Sequence, residues 1–467
     1  MDKETHRQNS ALSASHIWTL LAVILLTAAA VWLVRTSSRG EPAPSGQPAR
    51  VAVERTEVPP IVPDRWKERH GRWHTGDWRD ASPENRRPPS PEQAREIERL
   101  LSIGYLSGSH PAPPRSGVTI YNRELTYEGL NFYNSGEMPS AVLMDMQGRV
   151  LHKWAYSYID AWTQSPSRPE LRESPNGSWF WRRAHVFENG DVLAVFEALA
   201  IIRLDVRSNL LWVNFGGFHH DLDVMPDGRI FVLTRDAHIV PWYNPDDPVL
   251  EDYIAVLDSG GRELDRVSIL GAIAGSRFAS ALDVAEPRGD ILHSNTIEVL
   301  DGRLASRIPA FREGNVLVTV RELDLVVVID MESGLVVWAA QGHWDAPHQA
   351  TVLENGHLMI FDNRGNEGAS RVVEFDPVTL ETVWEYKGEQ PDDFHSNECG
   401  SNHRLPNGNT LIVETDRGTA FEVTPDGEIV WKYVNPAQAG DNLEFIASLF
   451  EVVRLPPDFG ADWTRWR

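Results

Sequence analysis

The chain has 467 residues, 42% of them hydrophobic and 24% charged, enough for one large core or for two to three ordinary ones. Its formal charge of −23 argues against a nucleic-acid partner, and neither G-x-x-x-x-G-K-[ST] nor G-x-G-x-x-G occurs, so a nucleotide-phosphate loop is unsupported. Cys399 is the single cysteine, which excludes intramolecular disulfides and cysteine-based zinc sites.

Residues 1–16 read as a tail. Ile17–Val34 (IWTLLAVILLTAAAVWLV) is an uncharged apolar run. A bilayer-spanning helix takes about 20 residues and a signal-peptide core about 7–15. The run therefore predicts a transmembrane anchor over 17–35. A cleaved signal is the alternative, because Ala28-Ala29-Ala30 suits a peptidase although it lies inside the run; a buried soluble helix is the third reading. Lys3 and Arg7 before the run balance Arg35 and Arg39 after it, so charge alone does not orient it. Residues 36–63 are rich in Pro, Ser and Gly and read as an extended linker. Residues 64–116 form an N-terminal extension, Arg/Trp-rich up to residue 89. There Ser90-Pro91-Glu92 supplies an N-cap, a first-turn proline and an early acid, predicting one short helix to about Ile103 with a stop at Gly104.

From residue 117 to 467 short β-branched runs alternate with Asn-Gly, Asp-Gly and Gly-Gly turns, the pattern of antiparallel β-structure. An internal repeat appears as HVFENGDVLAV (185–195), DVMPDGRIFVL (223–233), ATVLENGHLMIF (350–361) and HRLPNGNTLIV (403–413). A further copy, NTIEVLDG (295–302), resumes at EGNVLVTV (313–320) after an inserted loop. The last strand of a unit often carries tryptophan: LLWVN, VVWAA, TVWEY, IVWKY. The first unit is half present at 140–156, and SLFEVVRLPPD (448–458) looks like its missing strand. Four short strands per unit and a split first unit predict an all-β, six-bladed β-propeller closed by both chain ends, which removes the exposed sheet edge. A sandwich or two smaller β-domains is the alternative.

Equivalent positions of successive blades surround a propeller's channel, so the repeats can be registered on the turn glycine. His348 stands eight residues before Gly356 and His220 eight before Gly228. His293 stands nine before Gly302 in the altered copy, at the same strand start. Seven residues after the glycine the partner strand ends on Arg235, Arg321 (counted from Gly314) or Asn363. Strand starts and partner-strand ends lie at the same end of a hairpin, so histidines and arginines share one mouth. Arg182 and Gly400 hold the histidine position in two other blades, making the site one-sided. Arginine and imidazole bind oxyanions through charge-assisted hydrogen bonds, and imidazole is a nucleophile and general base. Three histidines also suit zinc, but two nearby arginines repel a cation and no H-E-x-x-H occurs, so no metal is expected. Trp344, Phe218 and Phe394 either flank an aryl ring or pack the blades. His357, after the turn glycine, reads as a surface residue.

The HHDLDVMPDG segment, LHSNTIEVL with its H-x-N, the VTVREL arginine and PHQATVLENGHLMIFDN, in that order, resemble the bacterial arylsulfate sulfotransferase family over about residues 117–455. The resemblance implies a periplasmic six-bladed propeller that moves a sulfuryl group from an aryl sulfate ester to a phenolic acceptor. It implies no nucleotide donor and no cofactor, and a ping-pong course through a sulfated histidine. Carried over, the nucleophile matches His348, and the sulfuryl-binding group matches His220, His293, Asn295 and Arg321. His219 is the alternative to His220, and the glycine register favours His220. Asn363 and Arg235 join as substrate-binding candidates on register, and Arg364 on proximity. With the anchor, the expectation is a single-pass inner-membrane protein whose catalytic domain is periplasmic. The competing functions are a non-catalytic, membrane-anchored binding or scaffold propeller and a metal-dependent hydrolase built on the histidines.

Overall fold

The computed structural model describes residues 50–51, 89–101, 108–169, 177–390, 393–440 and 442–464. The predicted anchor over 17–35 and most of the linker and early extension lie outside these residues. Among the described residues no helix is long and apolar enough to cross a membrane.

Six four-stranded antiparallel sheets follow one another as propeller blades. Blade 1 joins Leu449–Leu455 to Leu130–Ser135, Ser140–Met144 and Val150–Ala155. Its first pairing runs from Leu455↔Leu130 to Leu449↔Ser135, so the two ends of the chain close the ring as expected. Blade 2 is Arg183–Val186, Val192–Phe196, Ala200–Leu204 and Leu210–Phe215. Blade 3 is Phe218–Val224, Ile230–Val240, Asn244–Leu257 and Glu263–Ser268. Blade 4 is Ser294–Val299, Val316–Val320, Leu325–Asp330 and Leu335–Gln341. Blade 5 is His348–Val352, Leu358–Asn366, Ala369–Phe375 and Thr382–Lys387. Blade 6 is Ser401–Arg404, Thr410–Glu414, Thr419–Val423 and Ile429–Val434. Gly117–Tyr121 adds an outer strand to blade 6 and Arg50–Val51 one to blade 4, covering two sheet edges.

The inner hairpins of blades 2 to 6 each carry a glycine with φ between 83° and 89° at the turn (Gly190, Gly228, Gly314, Gly356, Gly408), a region closed to most side chains. The second strands of blades 2, 4 and 6 are buried at every residue, because neighbouring blades cover both faces. That burial explains their uninterrupted apolar sequences. The repeated tryptophans tie blades together. Trp212 Nε1 donates to Ser259 O, Trp384 Nε1 to Pro425 O, Trp431 Nε1 to Met146 O and Trp154 Nε1 to Gly190 O, each reaching a turn of the next blade. Around the axis, acidic and hydroxyl side chains of one inner strand accept backbone N–H groups of the next. Asp221 takes Ile297, Asp223 takes Val299, Thr296 takes Gln349 and Glu298 takes Val352, all at 2.8–2.9 Å. These bonds satisfy inner-strand donors that have no ladder partner on the axis side.

The N-terminal helix is Pro91–Leu101. Ser90 and Gln93 cap it reciprocally, Gln93 N–H to Ser90 Oγ at 3.2 Å and Ser90 N–H to Gln93 Oε1 at 2.8 Å. Its expected end near Ile103 lies just outside the described residues.

Candidate active site

The inner strands of blades 3, 4 and 5 begin with bulges. One non-glycine residue in the bulge of blade 3 and of blade 5, and one just before that of blade 4, takes left-handed backbone: His220 (φ 52°), Gln349 (φ 48°) and His293 (φ 49°). Such conformations cost about 1–2 kcal/mol each and gather where function constrains the chain. They turn side chains out of the strand alternation and bring residues of three blades to one place.

Pairing corrects the sequence register of blade 4. Val224 pairs with Ile230, Val352 with Leu358 and Val299 with Val316, so the equivalent turn glycine of blade 4 is Gly314 and not Gly302. Asn295 therefore occupies the position of His220 and His348, and His293 lies two residues nearer the mouth. The insertion after Val299 hid this offset. The rings still meet: His293 and His220 pack edge to face with centroids 4.9 Å apart.

His348 is 3% exposed. Its Nδ1 donates to Asn363 Oδ1 at 2.8 Å and lies 3.2 Å from Ala346 O. The Asn363 amide is fixed in turn, because Nδ2 donates to Ser396 O at 2.6 Å and Cys399 O at 2.9 Å. Only acceptors face Nδ1, so it carries the proton and Nε2 keeps its lone pair. That Nε2 is buried and has no hydrogen-bond partner among the described residues. Burial, then the charges of Arg321, His293 and Arg182, push His348 well below the ordinary imidazole range and keep it neutral.

Arg321 opens a short 3-10 turn after the second strand of blade 4. It pairs with Glu322 and, through Nη2 at 3.0 Å, with Glu398. Arg364 reaches the same carboxylate at 3.3 Å and Asn397 Oδ1 at 2.9 Å. Residues 396–399 thus hold both the amide partner of His348 and the mouth arginines. Asn295 Nδ2 donates to Pro347 O at 2.9 Å, bracing the backbone just before His348.

A second group lies behind. His219 and His220, each 1% exposed, meet Nδ1 to Nδ1 at 2.7 Å. Glu197 lies beside them, with Arg235 Nη2 at 3.2 Å and His220 Nδ1 at 3.9 Å. Burial, then Arg235, lowers His219 well below the usual range; burial, then Arg182, does the same to His220. Glu197, His219 and His220 offer ligand-type atoms within 4.8 Å of one another. The guanidinium of Arg235 on that carboxylate makes the cluster a poor cation site. His293 Nδ1 bonds Asp290 Oδ2 at 2.6 Å.

The sequence reading missed Arg182, Glu197, Asp290 and Glu398. Arg182, seen there only as a departure from histidine, stands 3.6 Å from Cys399 Sγ, and its charge depresses both His220 and His348. Blade 6 contributes nothing at the equivalent position because a Cβ on Gly400 would lie 2.4 Å from the Phe361 ring. The three aromatic candidates pack the blades. Trp344 lies on Phe375, Phe218 is in the core between blades 2 and 3, and Phe394 meets Phe361, Tyr386 and Phe421. His357 is tied to Glu374 at 2.8 Å and is not a plain surface residue. Below the histidines the channel holds a cavity of ≈290 Å³ lined in part by Asp221 and Gln349, the residues that follow His220 and His348.

The fold and site define a six-bladed propeller whose mouth combines arginines with a buried, neutral histidine, an arrangement for handling a small anionic group. Residues 205–436 match the arylsulfotransferase (ASST) family, and that match supports placing the chain in this family of sulfotransferases. No curated protein matches the chain. Similar solved structures include a protein of unknown function from Bacteroides caccae, 13% identical with a TM-score of 0.44 over 69% of this chain and 98% of that one. A streptogramin B lyase is 13% identical with a TM-score of 0.38, covering 73% and 88%. The WD40 propeller domain of Doa1 is 13% identical with a TM-score of 0.39, covering 75% and 96%. At these values they carry no argument.

Proposed function

We propose that the chain transfers a sulfuryl group from an aryl sulfate ester to a phenolic acceptor, without a nucleotide donor, through a covalent sulfuryl group on Nε2 of His348. The observation that carries this reading is the unengaged, buried Nε2 opposite an Nδ1–H held by Asn363. A nucleophilic imidazole needs that tautomer and a neutral ring.

In the first half-reaction the Nε2 lone pair forms a bond to sulfur as the sulfur–aryl oxygen bond breaks. Arg321 supplies charge-assisted donors to the nonbridging oxygens, displacing the Glu398 carboxylate that now occupies it. The departing phenolate takes a proton, and the acceptor phenol returns one when it attacks the sulfohistidine. The apolar run Ile17–Val34 motivates a membrane anchor with the propeller on the periplasmic side of the inner membrane. Recovery of the full-length chain in the soluble periplasmic fraction, with no membrane-bound pool, would remove the anchor.

Mixing the protein with 4-nitrophenyl sulfate and measuring intact mass tests the reaction. One added sulfuryl group mapped to His348, discharged by a phenol, is the expected result. An adduct or turnover surviving in His348→Ala overturns the nucleophile. No adduct and no phenol release with any aryl sulfate would instead favour a non-catalytic propeller.

A further inference from the structure

His293 differs from the other site histidines in having a carboxylate at hydrogen-bond distance from a ring nitrogen. Asp290 Oδ2 lies 2.6 Å from its Nδ1, with both side chains largely buried. The backbone of Asp290 is clipped in place by the parallel pairing of Gly289–Asp290 with Val249–Leu250 of blade 3. The His293 carbonyl accepts the Arg321 N–H at 3.4 Å, and the next N–H, of Ser294, goes to Asp252 Oδ2 at 2.7 Å. Chain on both sides of the ring is thereby held, and the ring packs on His220 toward the site.

We infer that Asp290 is the positioning residue for proton transfer in this reaction: it holds the Nδ1–H of His293 so that the other ring nitrogen exchanges a proton with the phenolic oxygen. The inference rests on the sulfuryl-transfer reading and adds to it which histidine moves the proton and what aims it. His220 is the poorer candidate, because its Nδ1 is engaged by His219 and it is buried among Arg182, Arg235 and His219. The groups whose charge His293 meets are Asp290, Asp252, His219, His220 and His348, and Arg235 acts on the same two carboxylates. Of the two carboxylates Asp290 is the ionised one. Burial raises it, but the charge and hydrogen bond of His293, with Arg235, hold it below the carboxylate range. Burial and the neighbouring Asp290 push Asp252 up to about 7.

The step balances. Neutral His348 and the aryl sulfate monoanion react with protonated His293. The N–S bond forms, the S–O pair goes to the phenol oxygen, and that oxygen takes the His293 proton. The products are a phenol, neutral His293 and a zwitterionic sulfoimidazolium. The second half-reaction runs this in reverse with the acceptor.

The test uses the leaving group. Nitrophenolate departs with little protonic help and phenolate does not, so loss of the acid must cost the poorer leaving group more. In Asp290→Asn the rate of His348 sulfation by phenyl sulfate should fall about 100-fold, while that by 4-nitrophenyl sulfate falls less than about 5-fold. His293→Gln should show the same donor selectivity, and the double variant should be no slower than the slower single. Equal losses with both donors, no loss with either, or additive losses in the double variant overturn the assignment. Absence of a sulfuryl adduct on the wild-type chain overturns the underlying reading and this inference with it, a result distinguishable from an unselective Asp290 variant.

Discussion

The Asn363 carbonyl oxygen lies 2.8 Å from Nδ1 of His348, and the Asn363 amide nitrogen is bound by two backbone carbonyls of the segment before blade 6. One side chain thus fixes the tautomer and the plane of the proposed nucleophile. Asn363→Ala should lower kcat about 100-fold with little change in KM for the donor, since misaiming a reacting atom by about 1 Å costs that much. Steady-state kinetics checks it. An unchanged kcat would mean that the ring is held by its packing alone.

On the proposed course, Glu398 competes with substrate for Arg321. The carboxylate is half exposed, so the pair is screened and contributes at most about 1 kcal/mol. Glu398→Gln should therefore lower KM for an aryl sulfate by up to about 5-fold and leave kcat unchanged. A raised KM would show that Glu398 supports the arginine instead of occupying it.

The acid limb of His348 sulfation should fall well below pH 6.5, because burial, Arg321, His293 and Arg182 all oppose protonation of that ring. Arg182→Met removes one of these charges, so the limb should move up toward neutral pH. Quenched-flow mass spectrometry across pH reads both. The same depressed imidazoles bear on stability. The unfolded chain binds protons at His219, His220 and His348 near 6.5 and the native chain does not, so these groups make stability rise with pH up to about 6.5. Asp252, raised to about 7, works in the opposite sense between 3.8 and 7, because there the native state holds the extra proton.

Arg183 of blade 2 reaches three other blades at the channel. It pairs with Asp221 of blade 3 and Glu451 of the closing strand, all three buried, and lies 3.3 Å from the half-buried Gln349 of blade 5. Removing one partner of a buried ion network leaves uncompensated charge, so Arg183→Met should cost about 3–5 kcal/mol of stability. A denaturant midpoint within error of the wild type would contradict this.

Several site features are legible in the amino-acid sequence alone. The spacing of His348 and His220 from their turn glycines and the placement of Asn363 and Arg235 at the partner-strand ends depend only on hairpin register. The closing strand at 449–455 was readable because an incomplete first repeat and a leftover last strand must find each other. The blade 4 register was misread, because a loop between Val299 and Val316 replaces the tight turn from which residues were counted. Asp290 sits in an insertion between blades 3 and 4, Glu197 in a loop of blade 2 and Glu398 in the segment before blade 6. None of them belongs to the repeat, so no periodicity marks them.

Turn chemistry, strand alternation and repeat spacing are local properties, and through them the amino-acid sequence by itself determined the blades, their number and the end of each hairpin on which the histidines stand. The tertiary structure decided what each ring does. The Asn363 hydrogen bond that leaves Nε2 of His348 unengaged forms within blade 5, the carboxylate on His293 comes from three residues away in an insertion, and the glutamate on Arg321 comes from 77 residues away. Hydrogen-bond partners and local charge depend on that convergence, and they set which nitrogen carries a proton.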